Sequence, residues 1–102
     1  MGMDYQYKTT FWTDFDLAEV FGEESIRSTA ERAFEEWKDD IVYLTELVMV
    51  LNHKCWDYYY RGDDELSKLY EELYYDYDEK AMDYLQLCNR NDDITYYIRT
   101  LD

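Results

Sequence analysis

The chain contains no proline and only three glycines among its 102 residues. With so few glycines, a phosphate-cradling loop has nowhere to form, and neither GxGxxG nor a Walker loop is present. No repeat or low-complexity linker divides the chain, so its length reads as one domain, 1–102. The two cysteines, Cys55 and Cys88, lack CxxC spacing. They read as small apolar residues, with a Cys55–Cys88 disulfide as the lesser alternative. No apolar run reaches the roughly 18 residues of a membrane span. The opening MGMDYQYKTT has neither the basic nor the apolar region of a signal peptide. Met1-Gly2 ahead of Met3 reads as a cloning remnant, and residues 1–3 are expected to be such a remnant or a disordered start. A cytoplasmic protein is expected.

Basic residues are scarce as well. Ten Lys and Arg stand against 25 Asp and Glu, a formal net charge of −15. Such a chain repels nucleic acid and anionic membrane, so neither is expected as a direct partner; a protein with a basic surface is. Aromatics, in contrast, are abundant: 13 tyrosines, three tryptophans and four phenylalanines. They are too many for the core alone, and Tyr and Trp at a surface are typical of binding patches. Charge of this size without aromatics would suggest disorder; with them, and with clear apolar periodicity, it does not.

The chain is organised around Ile41–Leu51, IVYLTELVMVL, continuing to Tyr60. At the helical step, Leu44, Leu47, Val48, Leu51, Cys55 and Tyr58 share a broad face, with Ile41 and Tyr59 at its edge. Val42, Met49 and Val50 carry apolar surface onto the flanks. A helix apolar over so much of its girth belongs at the buried centre of a small bundle. Asp39-Asp40 fits its N-cap and Gly62 its stop.

Before it, Thr13 reads as the N-cap of a short amphipathic helix in which Phe15, Leu17, Ala18 and Phe21 point inward and Gly22 is the terminator. A second helix, Glu23 to Lys38, places Ile26, Ala30, Ala33 and Trp37 on one face. After Gly62, Asp64 to Cys88 forms a fourth helix with Leu66, Tyr70, Leu73, Tyr77, Ala81, Tyr84 and Cys88 together. The tail, ITYYIRTLD, fits a short helix capped by Asp93. A strand paired with the alternating Tyr5 and Tyr7 of residues 5–11 stays open, although a lone strand pair is marginal unless packed on helices. The expected fold is therefore mainly all-α, a small helical bundle with at most a short terminal strand pair.

Few residues suggest chemistry. Glu46, His53 and Asp57 form a polar stripe on the central helix that could serve acid–base work or hold one edge of a metal site. The simpler reading is a solvated face with His53 and Asp57 paired. HExxH is absent, and so are the ExxH pairs of a dimetal bundle. No enzyme, cofactor, metal or catalytic residue is expected.

The fourth helix carries the more specific signal. Glu65, Glu72, Asp76, Glu79 and Asp83 line one stripe with only Lys68 close by, and Tyr75 and Met82 lie at its edge. Carboxylates one turn apart repel and cost helix stability, so the pattern is either a solvated face or a surface for a basic partner.

The segments TTFWTDFDLAEVFG, ERAFEEWK, YLTELVMVLNHKCW and YYIRT resemble uncharacterised small acidic proteins of phage-like and conjugative elements in gut Firmicutes. The resemblance spans Thr9 to Asp102 and implies an accessory role for a mobile element in a bacterial cytoplasm. It supplies no site residues. With DNA-mimicking anti-CRISPR and anti-restriction proteins the chain shares size, charge and aromatic content, and no motif. Two functions stay open: an inhibitor that occupies the basic nucleic-acid-binding surface of a host defence protein, and a structural or regulatory module with an aromatic-rich interface. Monomer and homodimer are equally compatible with the sequence.

Overall fold

Helices in this chain stop at Gly22, at Gly62, before the carboxylates Asp39-Asp40 and at the turn of Asn89. The computed structural model describes residues 10–101. It holds five α-helices in order: α1 (Thr10–Phe21), α2 (Glu23–Trp37), α3 (Ile41–Arg61), α4 (Asp64–Leu87) and α5 (Asn91–Leu101). No strand occurs among the described residues. The tail is therefore helix α5 and not a strand. Residues 1–9, with the proposed remnant and the Tyr5/Tyr7 arm, lie outside the described residues.

The junctions are local chemistry. Asp40 caps α3: its carboxylate accepts from the backbone N–H of Val42 at 3.1 Å. Such caps contribute about 1 kcal/mol, so Asp40→Ala should lower stability by about that amount in a urea titration. Gly62 ends α3 at φ 83, a left-handed conformation that only glycine adopts at little cost. Asp63 then caps α4 by accepting from Leu66 N–H at 3.2 Å. Asn89, at φ 55, makes the turn into α5. That helix starts at Asn91, so Asp93 is not its cap. Asp93 sits in the first turn, where the helix dipole favours an anion, and accepts from Arg90 Nε at 2.7 Å.

The first helix also begins earlier than expected. Thr13 lies within α1 and is not its cap. Phe11 is drawn in by edge-on contacts with the rings of Trp37 and Tyr43, and packing of this kind overrides a capping preference. Phe11, Phe15 and Ala18 become the buried face of α1, while Leu17 and Phe21 turn to solvent, Phe21 being 81% exposed.

α3 packs against each of the other four helices, most extensively against α4. Its Leu44, Leu47, Val48, Val50 and Leu51 are fully buried. They meet Ile26, Ala30 and Phe34 of α2, Tyr70, Leu73, Tyr77, Ala81 and Leu85 of α4 and Tyr97 of α5 in one core cluster. The expected faces are not wholly buried: Trp37 of α2 and Leu66 of α4 are half-buried against the core. Cys55 is half-buried and Tyr59 exposed on α3; on α4, Tyr84 is half-buried and Cys88 exposed.

Candidate functional surfaces

The acidic residues of α4 point outward as their spacing requires. Glu65, Glu72, Asp76, Glu79 and Asp83 are all exposed. They do not stand with Lys68 alone. Arg27 of α2 donates to Glu72 at 2.8 Å and to Glu23 at 3.0 Å, and the hydrogen bond to Glu72 is the main reason its guanidinium pKa is raised. A shallow hollow between α2 and α4 brings Arg27 and Lys80 beside Asp76. Both members of the Arg27–Glu72 pair reach solvent, so the pair adds little to stability. Glu65, Asp76, Glu79 and Asp83 form no ion pair among the described residues.

Tyr75 and Met82, at the edge of this stripe, differ in their surroundings. Met82 is half-buried against the core. Tyr75, 62% exposed, belongs to a groove of about 470 Å³ between α3 and α4. Trp56 and Tyr59 line it from α3, with ring centroids 5.6 Å apart, edge to face. Tyr74 and Tyr75 line it from α4, with centroids 5.3 Å apart. Its narrow floor follows from two small residues: Ser67 Oγ donates to the Cys55 carbonyl at 3.1 Å. Asp64, Lys68 and Glu71 stand on the rim.

A third feature is buried. Lys54 is 1% exposed. Its ammonium donates to Glu19 at 2.9 Å and also to Asp16, both on α1. It lies 4.8 Å from the Trp12 ring centre, 5.7 Å from that of Tyr58 and 5.8 Å from that of Tyr70. Glu19 accepts from the phenols of Tyr58 and Tyr70 as well. Burial first, and the bonds to the Glu19 carboxylate next, push both phenol pKa values well above the ordinary range. The ammonium, the two carboxylates and the two phenols are bonded to one another, so the cluster fastens α1 to α3 and α4. Lys54 stands seven residues after Leu47 and four after Val50, at the edge of the apolar face between the two. That position was the available signal, and its charge hid it.

Asp57 pairs with Arg61 at 3.5 Å. His53 is half-buried, and burial lowers its pKa. Burial likewise raises the pKa of Glu46. Among the described residues no group of three His, Cys, Asp or Glu is placed to hold a metal ion. Cys55 and Cys88 are free thiols and not a disulfide. Burial pushes the Cys55 thiol pKa up, which makes it a poor nucleophile. No helix of the described residues is long and apolar enough to cross a membrane.

Comparison with protein families, with curated proteins and with solved structures finds no match.

Proposed function

We propose that this chain is an acidic interaction protein whose α4 stripe docks on the basic, nucleic-acid-binding surface of a protein partner. The observation that carries the reading is the row Glu65, Asp76, Glu79 and Asp83, exposed on one rigid helix and unpaired among the described residues. Side chains one helical turn apart lie about 5–6 Å from each other. A row of them can follow a track of Lys and Arg shaped for the regular charges of a phosphate backbone. The helix holds the charges in place, so little ordering entropy is lost on binding. In this reading the chain acts in a bacterial cytoplasm as the accessory protein of a mobile element, inhibiting a host defence protein by mimicry of DNA.

The test is charge reversal. Asp76→Lys, Glu79→Lys and Asp83→Lys together should leave the helical circular dichroism intact. They should abolish capture of nucleic-acid-binding proteins from a Firmicute lysate. Glu72 is spared because its loss would also break the Arg27–Glu72 pair between α2 and α4. Capture by the wild type should weaken steeply with salt and be competed by duplex DNA. Capture that survives the reversal, or that DNA does not displace, overturns the mimicry.

A second reading is an interaction module with an aromatic interface and no mimicry. The exposed Trp56, Tyr59, Tyr60 and Tyr75 favour it. Its mark would be a salt-tolerant complex indifferent to DNA.

A further inference from the structure

We propose that the groove between α3 and α4 is a guanidinium site, and that it takes an arginine side chain of the basic partner. The inference rests on the partner class proposed above and uses the groove beside the stripe, its wall residue Tyr75 lying one helical turn from Glu72 and Glu79.

The shape of the groove comes from its floor. Cys55 and Ser67 are small and hydrogen-bonded across the helix pair, so α3 and α4 approach closely there. The large rings above them splay outward. Trp56 is 49% exposed and Tyr59 56%. An indole or phenol ring so exposed presents a negative face, which attracts a cation. Trp56 is further stiffened by Tyr60, whose ring stacks on it at 6.0 Å. Two carboxylates, Asp64 and Glu71, flank the opening. Glu71 is close enough that its charge contributes to raising the Cys55 thiol pKa at the floor. Rings with carboxylates at their edge bind a cation that both stacks and donates hydrogen bonds.

The guanidinium meets both requirements. It is planar, weakly hydrated and carries its donors in a fixed fork, whereas an ammonium is compact and strongly hydrated. The one like charge on the rim is Lys68. It opposes the incoming cation, so its removal should improve binding. A site for an uncharged guest would not respond to that change. The net charge of −15 draws any arginine-bearing surface toward the protein; the rings decide where one side chain lodges.

The experiment titrates three capped tripeptides, Gly-Arg-Gly, Gly-Lys-Gly and Gly-citrulline-Gly, into the full chain and follows the Trp56 indole N–H by NMR. Citrulline keeps the planar shape and loses the charge. The arginine peptide should shift Trp56 and the backbone amides of Cys55 and Ser67, the lysine peptide less, and the citrulline peptide hardly at all. Tyr75→Ala should weaken arginine binding about two- to fivefold, the usual worth of an exposed cation–π contact. Glu71→Gln should weaken it as well, and Lys68→Gln should strengthen it. All three residues are exposed, so the fold survives each change. Equal responses to arginine and citrulline, or unchanged binding in both Tyr75→Ala and Glu71→Gln, overturn the site. The two proposals fail separately. If the groove ignores arginine while DNA-competed capture persists, the α4 stripe stands alone. If arginine lodges in the groove but capture survives reversal of the stripe, the mimicry falls and the groove remains.

Discussion

Glu19→Ala should destabilise the fold by about 3–5 kcal/mol, the cost of removing one partner from a buried ion pair. Glu19 is only 13% exposed by its side chain, and Lys54 only 1%. The carboxylate takes hydrogen bonds from Lys54, Tyr58 and Tyr70 together. Truncation leaves three donors in the interior, one of them charged, with only Asp16 left to answer. Asp16 is 54% exposed, so solvent screens what it offers. Lys54→Met should cost less than Glu19→Ala. It removes the buried charge itself, fills much of the same volume, and leaves Glu19 its two phenol donors. Asp16→Asn should cost under about 1 kcal/mol, as exposed pairs do. The order Glu19→Ala, then Lys54→Met, then Asp16→Asn is read from urea midpoints at unchanged slope. A protein of this size has roughly 5–15 kcal/mol in total, so the first variant stands near the edge of folding. If Glu19→Ala costs no more than Asp16→Asn, water reaches the cluster and it does not fasten α1.

The contrast between this cluster and the helix ends shows what kind of information the sequence carries in the open. The ends of α3 were legible because their causes are local. Asp40 lies two residues from the N–H that it accepts from, and Gly62 supplies its own left-handed backbone. The stripe of α4 was legible for the same reason, since one helix determines which of its own side chains share a face. What was not legible depends on residues far apart in the chain. Glu19 and Lys54 are separated by 35 residues and Arg27 and Glu72 by 45. Periodicity assigns a lysine to the surface unless a carboxylate is known to await it. The start of α1 was misplaced because Phe11 answers to Trp37 and Tyr43, which no window around Thr13 contains. Helical spacing puts Tyr75 at the edge of the acidic stripe, one turn from Glu72 and Glu79, but says nothing of the neighbouring helix. Packing of α3 against α4 gives it to the groove.

Alkali should unfold this protein over a narrow range beginning just above the ordinary tyrosine pKa of about 10. Tyr58, Tyr70 and Tyr97 are all buried. Burial raises the pKa of each, and a hydrogen bond to a carboxylate raises it further: Glu19 for the first two, Asp78 for Tyr97 at 2.6 Å. Arg61, over the ring of Tyr58, pulls weakly the other way. The folded chain therefore holds these protons at a pH where the unfolded chain has released them. A pKa raised on folding contributes stability that is complete below the unfolded value and is lost as pH climbs toward the folded one. Each such group removes about 1.4 kcal/mol per pH unit, so the three together remove roughly 4 kcal/mol per unit. Against a total of about 5–15 kcal/mol, one to four units suffice. Tyr84, held up to about 12 chiefly by its hydrogen bond to Asp39, is half-exposed and adds little. Helix content and the absorbance of the buried tyrosinates should change together, because these phenols ionise only as the chain opens. Tyr97→Phe should reduce the slope of stability against pH by about one third while costing little near neutrality, since Asp78 is partly exposed and water can replace the lost donor. An alkaline titration in which all tyrosines ionise before any helix is lost would mean that these three phenols are not protected by the fold.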